Sequence, residues 1–160
     1  MHRVDDLDVR LIQLLAAQPR IGVLECARQL GVARGTVQAR LDKLISRGVI
    51  RGFGPDVDPA ALGYGVTAFV TLEISQSRGH DAVAEHLATI PEVLEVQTIT
   101  GGGDLLCRIV ARSNADLQRV IDGIVSHRAI VRASTLIALA EQIPYRVLPL
   151  IAAAAAPPPE

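Results

Sequence analysis

The sequence predicts an α+β protein of two domains, an N-terminal bundle of three helices and a C-terminal βαββαβ unit. Apolar residues recur at helical spacing through residues 1–52. Strand-like and helical patterns alternate through residues 65–143. Glycine and proline are concentrated in the intervening residues 53–64. We therefore expect a hinge strand and linker at residues 53–64 and a tail at residues 144–160.

The charge of the chain is divided between the two domains. Residues 1–52 contain nine Arg or Lys residues against five acids, a net charge of +4. Residues 53–160 contain seven arginines against twelve acids, a net charge of −5. This asymmetry predicts an anionic partner for the first domain and a different task for the second.

The composition is that of a globular protein with an aliphatic core. Hydrophobic residues make up 49% of the 160-residue chain, charged residues 21% and aromatic residues only 2%. No apolar run reaches the roughly 18 residues that a membrane-spanning helix needs, and the N-terminal residues lack the apolar core of a signal peptide. Cys26 and Cys107 show no metal-ligand spacing. We expect a cytoplasmic protein with reduced thiols, without metal, cofactor or membrane partner.

The first two helices of the basic domain have recognisable ends. The first begins at Asp5 or Asp6, either of which can cap it, and ends near Pro19. The second covers about residues 22–30, and Gly31 ends it because glycine readily adopts positive φ.

The junction between the second helix and a third, over about residues 34–47, has the pattern of a helix-turn-helix. Ala27 is small where the two helices would cross, Gly31 can take the turn, and Val37 is apolar where the third helix packs back. After Gly48 the residues VIRGFGPDVDP predict a short strand and then a connector. The domain is therefore expected to be a winged helix-turn-helix.

The third helix has one apolar and one cationic face. Its buried stripe is expected to contain Val37, Leu41, Leu44 and Ile45. Arg40, Lys43 and Arg47 fall together on the opposite face, which is either a solvated surface or one that enters the DNA major groove. The basic charge of the domain favours the groove. We therefore predict DNA contacts from Arg34, Thr36, Gln38, Arg40, Lys43, Arg47 and Arg51.

The acidic domain has the predicted order β-α-β-β-α-β, the ferredoxin-like arrangement in which two helices cover one face of a four-stranded antiparallel sheet. The strands are expected over residues 65–75, 93–100, 105–111 and 130–143, and the helices over residues 80–90 and 115–127. The last strand is apolar on both sides, because Leu136 and Ile137 point to opposite faces. An uncovered sheet of that kind would be a large apolar patch, so we expect two sheets to pack face to face in a homodimer.

The residues TITGGGDLL, between the second and third strands, allow three interpretations. A phosphate-binding loop would open a helix, but these glycines open a strand, and the only lysine in the chain is Lys43. A plain hairpin turn is the second interpretation. In the third, the backbone N–H groups of Gly101, Gly102 and Gly103 approach a carboxylate and Asp104 accepts from an ammonium group. The loop would then bind an amino acid.

These features together resemble the Lrp/AsnC, or feast/famine, transcriptional regulators of bacteria and archaea. The resemblance runs from about Val4 to Ile143 and is carried by DDLDVRLIQLL, by PRIGVLECARQLGVARGTVQARLDKLISRGVIRGFGPDVDPAALGYG and by TGGGDLL. It implies that the first domain binds double-stranded DNA, with a palindromic operator suiting a dimer. It also implies that the second domain forms dimers, tetramers or octamers and binds a small effector, usually an amino acid, near the glycine loop.

At this loop the sequence departs from the family pattern Gly-x-Phe/Tyr-Asp. Gly101 and Asp104 match the pattern, but Gly103 stands where an aromatic residue is usual. A roomier pocket, a different effector or no effector would each fit this change. The resemblance further implies an effector-responsive segment in the last strand, at Thr135, Leu136 and Ile137.

Two other functions are compatible with this architecture. Some relatives of the family act on tetrapyrroles as decarboxylases, and an assembly protein could bind an effector without binding DNA. Gly35 supports the second alternative slightly, because glycine costs a helix about 1 kcal/mol relative to alanine. The sequence shows no catalytic cluster among the histidines, which are His2, His80, His86 and His127. We therefore predict a sequence-specific DNA-binding regulator, not an enzyme, that is associated with the nucleoid and ends in a frayed AAAAAPPPE tail.

Overall fold

The computed structural model describes residues 4–75 and 80–155, and the chain divides into two compact units. The first unit comprises the residues up to Pro55 together with those from Ile143 onward, and the second comprises Asp56–Gln142. The first boundary lies within the linker expected at residues 53–64. The chain therefore passes between the units twice.

Helix α1, Asp6–Ala17, begins with a capping box. The Asp8 N–H donates to the Asp5 carboxylate over 3.0 Å, and the Asp5 N–H donates to the Asp8 carboxylate over 3.3 Å. Two backbone donors are thus satisfied at the N-terminus of the helix. Of the two candidate caps in the sequence, Asp5 is the one used.

Helices α2, Val23–Leu30, and α3, Arg34–Ser46, form the expected helix-turn-helix. Gly31 ends α2 with φ of 70°, and Gly48 follows α3 with φ of 69°, so both adopt the left-handed conformation that other residues avoid. The three helices close around one apolar cluster, which contains Leu11, Ile12, Cys26, Ala27, Leu30, Val37 and Leu44.

The apolar stripe of α3 is only partly buried. Val37 and Leu44 are enclosed, Leu41 is half-buried, and Ile45 is 45% exposed. At 100° per residue, Ile45 is rotated about 80° from Val37, so it lies at the margin of the packed face. The prediction that all four residues are buried is therefore wrong at Ile45.

The short strand expected after Gly48 is absent from residues 49–58. The N–H groups of Val49 and Ile50 donate to the Leu44 carbonyl over 2.9 and 3.2 Å and so close the end of α3. These donors are used locally, and residues 51–58 follow without regular structure. The helix-turn-helix thus has no wing strand in the described part of this segment, and a single 3-10 turn, Ala60–Leu62, precedes the sheet.

The second unit has the expected ferredoxin-like fold. Its elements in order are β1 Val66–Ile74, α4 His80–Ala88, β2 Val93–Thr98, β3 Leu105–Ala111, α5 Asn114–Val125 and β4 Ile130–Ala138. All neighbouring strands are antiparallel, and their order in the sheet is β2-β3-β1-β4. Ser113 caps α5 by accepting a hydrogen bond from the Asp116 N–H over 3.1 Å.

Alternation along β1 separates the two faces of the sheet. Ala68, Val70 and Leu72 are fully buried in the core that β1 shares with α4 and α5. Phe69 points to the opposite face, where it neighbours Leu136 of β4, which is 66% exposed. The apolar face inferred from the sequence is therefore present, and its covering by a second copy remains a prediction.

Strand β4 is shorter than its apolar pattern predicts. The pattern continues to residue 143, but β4 ends at Ala138, which pairs with Thr67. Because β1 itself begins at Val66, which lies opposite Leu139 in this register, residues beyond Leu139 have no neighbouring strand with which to pair.

The expectation of a frayed C-terminus is wrong for residues 152–155, which lie in helix α6, Leu148–Ala155. Pro149 lies in the first turn, where its missing N–H leaves no intrahelical bond unmade. Ile151 packs half-buried against the apolar cluster of the helix-turn-helix, which stabilises the helix. Residues 156–160 lie outside the described part of the chain.

Candidate DNA interface and effector site

Most of the expected DNA contacts are exposed along α3 and just beyond it. Arg34 and Thr36 lie in its first turn, Lys43 is half-buried near its end, and Arg47 and Arg51 follow it. Within residues 4–75 and 80–155, no carboxylate forms an ion pair with Arg34, Lys43 or Arg47. These three charges are therefore left for an external anion.

Arg40 has a different role from its neighbours on α3. Its guanidinium reaches α1 and pairs with the carboxylates of Asp5 and Asp8, the latter at 3.1 Å. The Arg40 side chain is 30% exposed and that of Asp8 only 2%. The cationic face inferred from the sequence therefore loses one charge to an internal ion pair. Gln38 is likewise engaged, since its amide donates to Asp42 over 2.8 Å.

This ion pair shifts the pKa of Asp5 and of Arg40. Burial acts to raise the pKa of Asp5, but the hydrogen bonds from Arg40 and from backbone N–H groups outweigh it and hold the pKa below its usual value. The hydrogen bonds to Asp5 and then to Asp8 raise the pKa of Arg40. Both shifts favour the charged forms, so the ion pair persists at neutral pH.

The ionised Asp5 carboxylate is expected to increase the free energy of unfolding at neutral pH, and this contribution is expected to disappear in acid. Because the pKa of Asp5 is lowered in the folded state, its contribution is complete above the unfolded value of about 4 and is lost as the pH falls through the folded value. Urea unfolding of wild type and Asp5→Asn, from about pH 7 to about pH 2, should show a difference that shrinks toward the acid end. A difference that does not depend on pH would contradict this linkage.

Replacing Arg40 by methionine is expected to lower the free energy of unfolding by roughly 1–3 kcal/mol, because the nearly buried Asp8 carboxylate loses its cationic partner. The matched control is Arg28→Met. Its ion pair with Glu25 lies at the surface, where such a pair contributes about 0–1 kcal/mol. Urea unfolding at neutral pH measures both variants, and equal losses would show that the burial of Asp8 adds nothing.

The glycine loop connects β2 to β3 and is hydrogen-bonded to β1. The Asp104 N–H donates to the Leu72 carbonyl over 2.8 Å, and the Asp104 carboxylate accepts from the Ile74 N–H over 2.6 Å. Gly101 has φ of 112°, a conformation that favours glycine. Asp104 therefore holds the loop against the end of β1, a role that the sequence interpretation did not include.

Gly103 faces the backbone of β1. A Cβ atom at this position would lie 3.2 Å from the Leu72 carbonyl oxygen and 3.4 Å from the Thr71 Cβ. The missing side chain therefore permits a close approach of loop and strand and does not itself enlarge a pocket. Gly102, by contrast, has open space where a Cβ atom would lie.

A cavity of about 270 Å³ lies beside Gly102. Its other walls are formed by residues of β1 and β4, namely Thr71, Glu73, Arg132 and Ser134. Glu73 and Arg132 are partners in the strand register, and their charged groups lie 3.8 Å apart. Sequence reasoning missed these four residues because the register that brings them together is not encoded in either strand alone. The one sequence feature that bears on them is the alternation of side chains along a strand, which places Glu73 on the face opposite the core.

The expected effector segment of β4 lies further along the strand. Thr135 pairs with Val70 and turns toward the helices, whereas Leu136 pairs with Phe69 and turns to the open face. Among the described residues of β4, Arg132 and Ser134 line the cavity, whereas Thr135, Leu136 and Ile137 do not. Consecutive strand residues alternate between faces, so these three cannot line one pocket within a single chain. Of the expected effector residues, the structure brings Gly102 to the cavity.

The described histidine side chains have partners within the second unit. His86 Nε2 lies 3.0 Å from the Gly123 carbonyl oxygen, and a backbone N–H donates to His127 Nδ1 over 3.2 Å. Their ring centroids are 5.1 Å apart, a proximity that the sequence does not indicate. His2 and the side chain of His80 lie outside the described residues.

The thiols and the acidic side chains provide no metal centre in the described ranges. Cys107 is enclosed in the core, and burial raises the pKa of its thiol to about 11. Over residues 4–75 and 80–155, His, Cys, Asp and Glu side chains form no group of three that could hold a metal ion. No helix in these ranges is long and apolar enough to cross a membrane.

Comparison with known proteins matches both units of the chain. Residues 4–45 match the AsnC-type helix-turn-helix domain, and residues 67–148 match the Lrp/AsnC ligand binding domain. Regulatory protein AsnC of Escherichia coli is 31% identical over 149 residues, which cover 92% of this chain and 98% of that protein. HTH-type transcriptional regulator AldR of Mycolicibacterium smegmatis is 35% identical over 120 residues, which cover 74% of this chain and 70% of that protein.

Solved structures of other proteins are similar to this chain over most of its length. The structure of E. coli AsnC superposes with a TM-score of 0.84 at 30% identity, covering 92% of this chain and 100% of that chain. A feast or famine regulatory protein from M. tuberculosis, solved in complex with L-methionine, superposes with a TM-score of 0.78 at 27% identity, covering 89% of this chain and 97% of that chain. The chain therefore belongs to the Lrp/AsnC family of helix-turn-helix transcriptional regulators.

Proposed function

We propose that this regulator binds a specific operator through α3, and that an amino acid bound beside the glycine loop changes its DNA affinity or its oligomeric state. The observation that carries the effector part of the proposal is the cavity in which the Glu73 carboxylate and the Arg132 guanidinium lie 3.8 Å apart. The related M. tuberculosis protein was solved with L-methionine, which supports an amino acid as the ligand.

Both charged ends of an amino acid have a complementary group in this cavity. The Arg132 guanidinium can bind an α-carboxylate through two N–H groups, and the Glu73 carboxylate can accept from an α-ammonium. The hydroxyl groups of Thr71 and Ser134 add polar partners for orientation. The volume of about 270 Å³ is close to the lower end of ordinary ligand pockets, roughly 300 Å³, and so suits a small ligand.

The DNA-binding part of the proposal relies on Arg34, Lys43 and Arg47, whose charges have no carboxylate partner in the described ranges. Arg51, Thr36 and the amide of Gln38 supply further donors along the same segment. Arg40 acts in this proposal by fixing α3 to α1, because its guanidinium is already paired.

We further propose that the exposed sheet face joins two copies of the chain. Phe69 and Leu136 lie side by side on it, and Arg108, a register partner of Phe69, has a buried Nε without a hydrogen-bond partner among the described residues. A second copy would cover the apolar pair and could supply the missing acceptor. The resulting two-fold symmetry suits a palindromic operator, and dimers would assemble further into tetramers or octamers.

The proposal includes no catalytic activity and no cofactor, and it assigns the protein to the cytoplasm, in association with the nucleoid. The relatives are named as transcriptional regulators, which supports this assignment over a tetrapyrrole decarboxylase or an assembly protein without DNA binding. The histidines His86 and His127 are occupied by contacts to backbone groups, which also favours a non-catalytic role.

Fluorescence anisotropy with labelled DNA tests the proposal. The upstream region of the protein's own gene and a scrambled duplex of equal length are titrated at low and at moderate salt, with and without each of the twenty amino acids. Preference for the upstream region and a shift caused by at least one amino acid are expected. Equal affinity for both duplexes would contradict sequence-specific binding, and a specific complex that no amino acid alters would contradict the effector part.

A further inference from the structure

Helix α6 follows the effector domain in the sequence but belongs to the DNA-binding unit. Ile151 and Ala155 lie four residues apart, on one face of α6, and both are half-buried, whereas Leu150 is 66% exposed. Ile151 packs against the apolar cluster of the helix-turn-helix, and α6 contacts α1. The C-terminal helix is therefore docked on the DNA-binding domain by one defined face.

This docking is needed for α6 to exist as a helix. It has eight residues and no charged side chain, and isolated helices of that length are unstable in water. Its apolar composition would make it a poor free tail but makes it suitable for a surface contact. The packing of Ile151 on the cluster thus provides the stabilisation that the sequence of α6 lacks.

The chain joins this helix, through residues 139–147, to the strand that lines the proposed effector cavity. Strand β4 contributes Arg132 and Ser134 to the cavity and continues through residues 139–147 into α6. Like residues 139–147, the other connection between the units, through residues 51–58, has no regular structure. Beyond α6, α1 is joined to α3 by the ion pairs of Arg40.

We propose that α6 is the docking element that transmits ligand binding from β4 to the DNA-binding domain. This inference rests on the proposed function, because it needs an effector at the cavity. A ligand held by Arg132 changes the position or mobility of β4, and α6 passes that change to α1 and hence to α3. The surface of α1 is accordingly an interaction surface whose partner is the C-terminal helix of the chain.

The test compares Ile151→Asp with Leu150→Asp in the full-length protein. The first variant introduces a charge into the docked face, and the second introduces the same charge on the exposed face of the same helix. Hydrogen exchange of the α1 amides reports docking. The ratio of operator Kd with and without the most effective amino acid reports coupling, and calorimetry confirms that the amino acid still binds.

Ile151→Asp is expected to speed exchange in α1 and to reduce the Kd ratio to about 1, from the roughly 5- to 150-fold range usual for allosteric coupling. Leu150→Asp should keep both wild-type values. If hydrogen exchange in α1 is unchanged in Ile151→Asp, α6 is not docked through Ile151. If exchange is faster but the Kd ratio equals that of the wild type, docking does not transmit ligand binding. A Kd ratio of about 1 in the wild type itself would instead show that no amino acid alters operator affinity. The proposed effector role and the coupling through α6 would then both be wrong.

Discussion

The double variant Lys43→Ala, Arg47→Ala is expected to bind operator DNA more weakly than the wild type and with a shallower dependence on salt. Each phosphate contact contributes about 0.9 to the slope of log affinity against log salt concentration, so two lost contacts lower that slope by up to about 1.8. Neither side chain has a carboxylate partner in residues 4–75 and 80–155, so their removal should leave the fold intact. Anisotropy titrations between about 50 and 200 mM salt measure the slope.

Two single variants serve as controls for this experiment. Arg28→Ala removes a cation of α2 that is paired with Glu25, and its salt slope should stay close to that of the wild type. Arg40→Met should also keep the slope, because its guanidinium is neutralised by Asp5 and Asp8, even where a displaced α3 lowers the affinity. An unchanged slope in the double variant would contradict the placement of Lys43 and Arg47 beside phosphates. A large fall in slope for Arg40→Met would instead restore the groove-facing role that the sequence predicts for Arg40.

Features that depend on a single element were predictable from the sequence. The first strand was expected over residues 65–75 and is found at Val66–Ile74, and the fold order β-α-β-β-α-β is confirmed. Gly31 correctly marked the end of α2, and Asp5 was one of the two caps expected for α1. Local geometry determines each of these features, because helix and strand periodicity and the preferences of caps act within a few residues.

Features that depend on contacts between distant elements were not predictable. The pairing of Arg40 joins residues 32 and 35 positions apart, so the cationic face of α3 could not reveal it. Helix α6 was not predicted because its second half falls in the AAAAAPPPE segment expected to fray, and its stability comes from packing on another part of the chain. The cavity depends on the register of β1 with β4, which sets Glu73 opposite Arg132. The Arg40 ion pair, helix α6 and the cavity all depend on tertiary packing, which the local sequence pattern does not reveal.

The variants Arg132→Gln and Glu73→Gln are each expected to weaken amino acid binding by about 10- to 100-fold, because a hydrogen bond to a charged group contributes roughly 1.5–3 kcal/mol. Each variant removes the partner of one charged end of the ligand; Glu73→Gln keeps the side-chain length, and Arg132→Gln keeps a shorter polar side chain. Titration calorimetry measures the loss, and the effect of the amino acid on operator affinity should fall with it. Arg128→Gln and Glu141→Gln remove exposed charges of the same signs outside the cavity lining and should bind as the wild type does.

Asp104→Asn distinguishes the two interpretations of the glycine loop. In the structure the Asp104 carboxylate accepts from the Ile74 N–H, and an asparagine side-chain oxygen can accept the same bond without the charge. If Glu73 is the acceptor for the ammonium group, Asp104→Asn should therefore bind the amino acid nearly as tightly as the wild type. If Asp104 itself accepts from the ammonium group, as the sequence alone suggested, Asp104→Asn should lose binding while Glu73→Gln keeps it. The affinities of these two variants, measured with the same ligand, thus assign the ammonium group to one carboxylate.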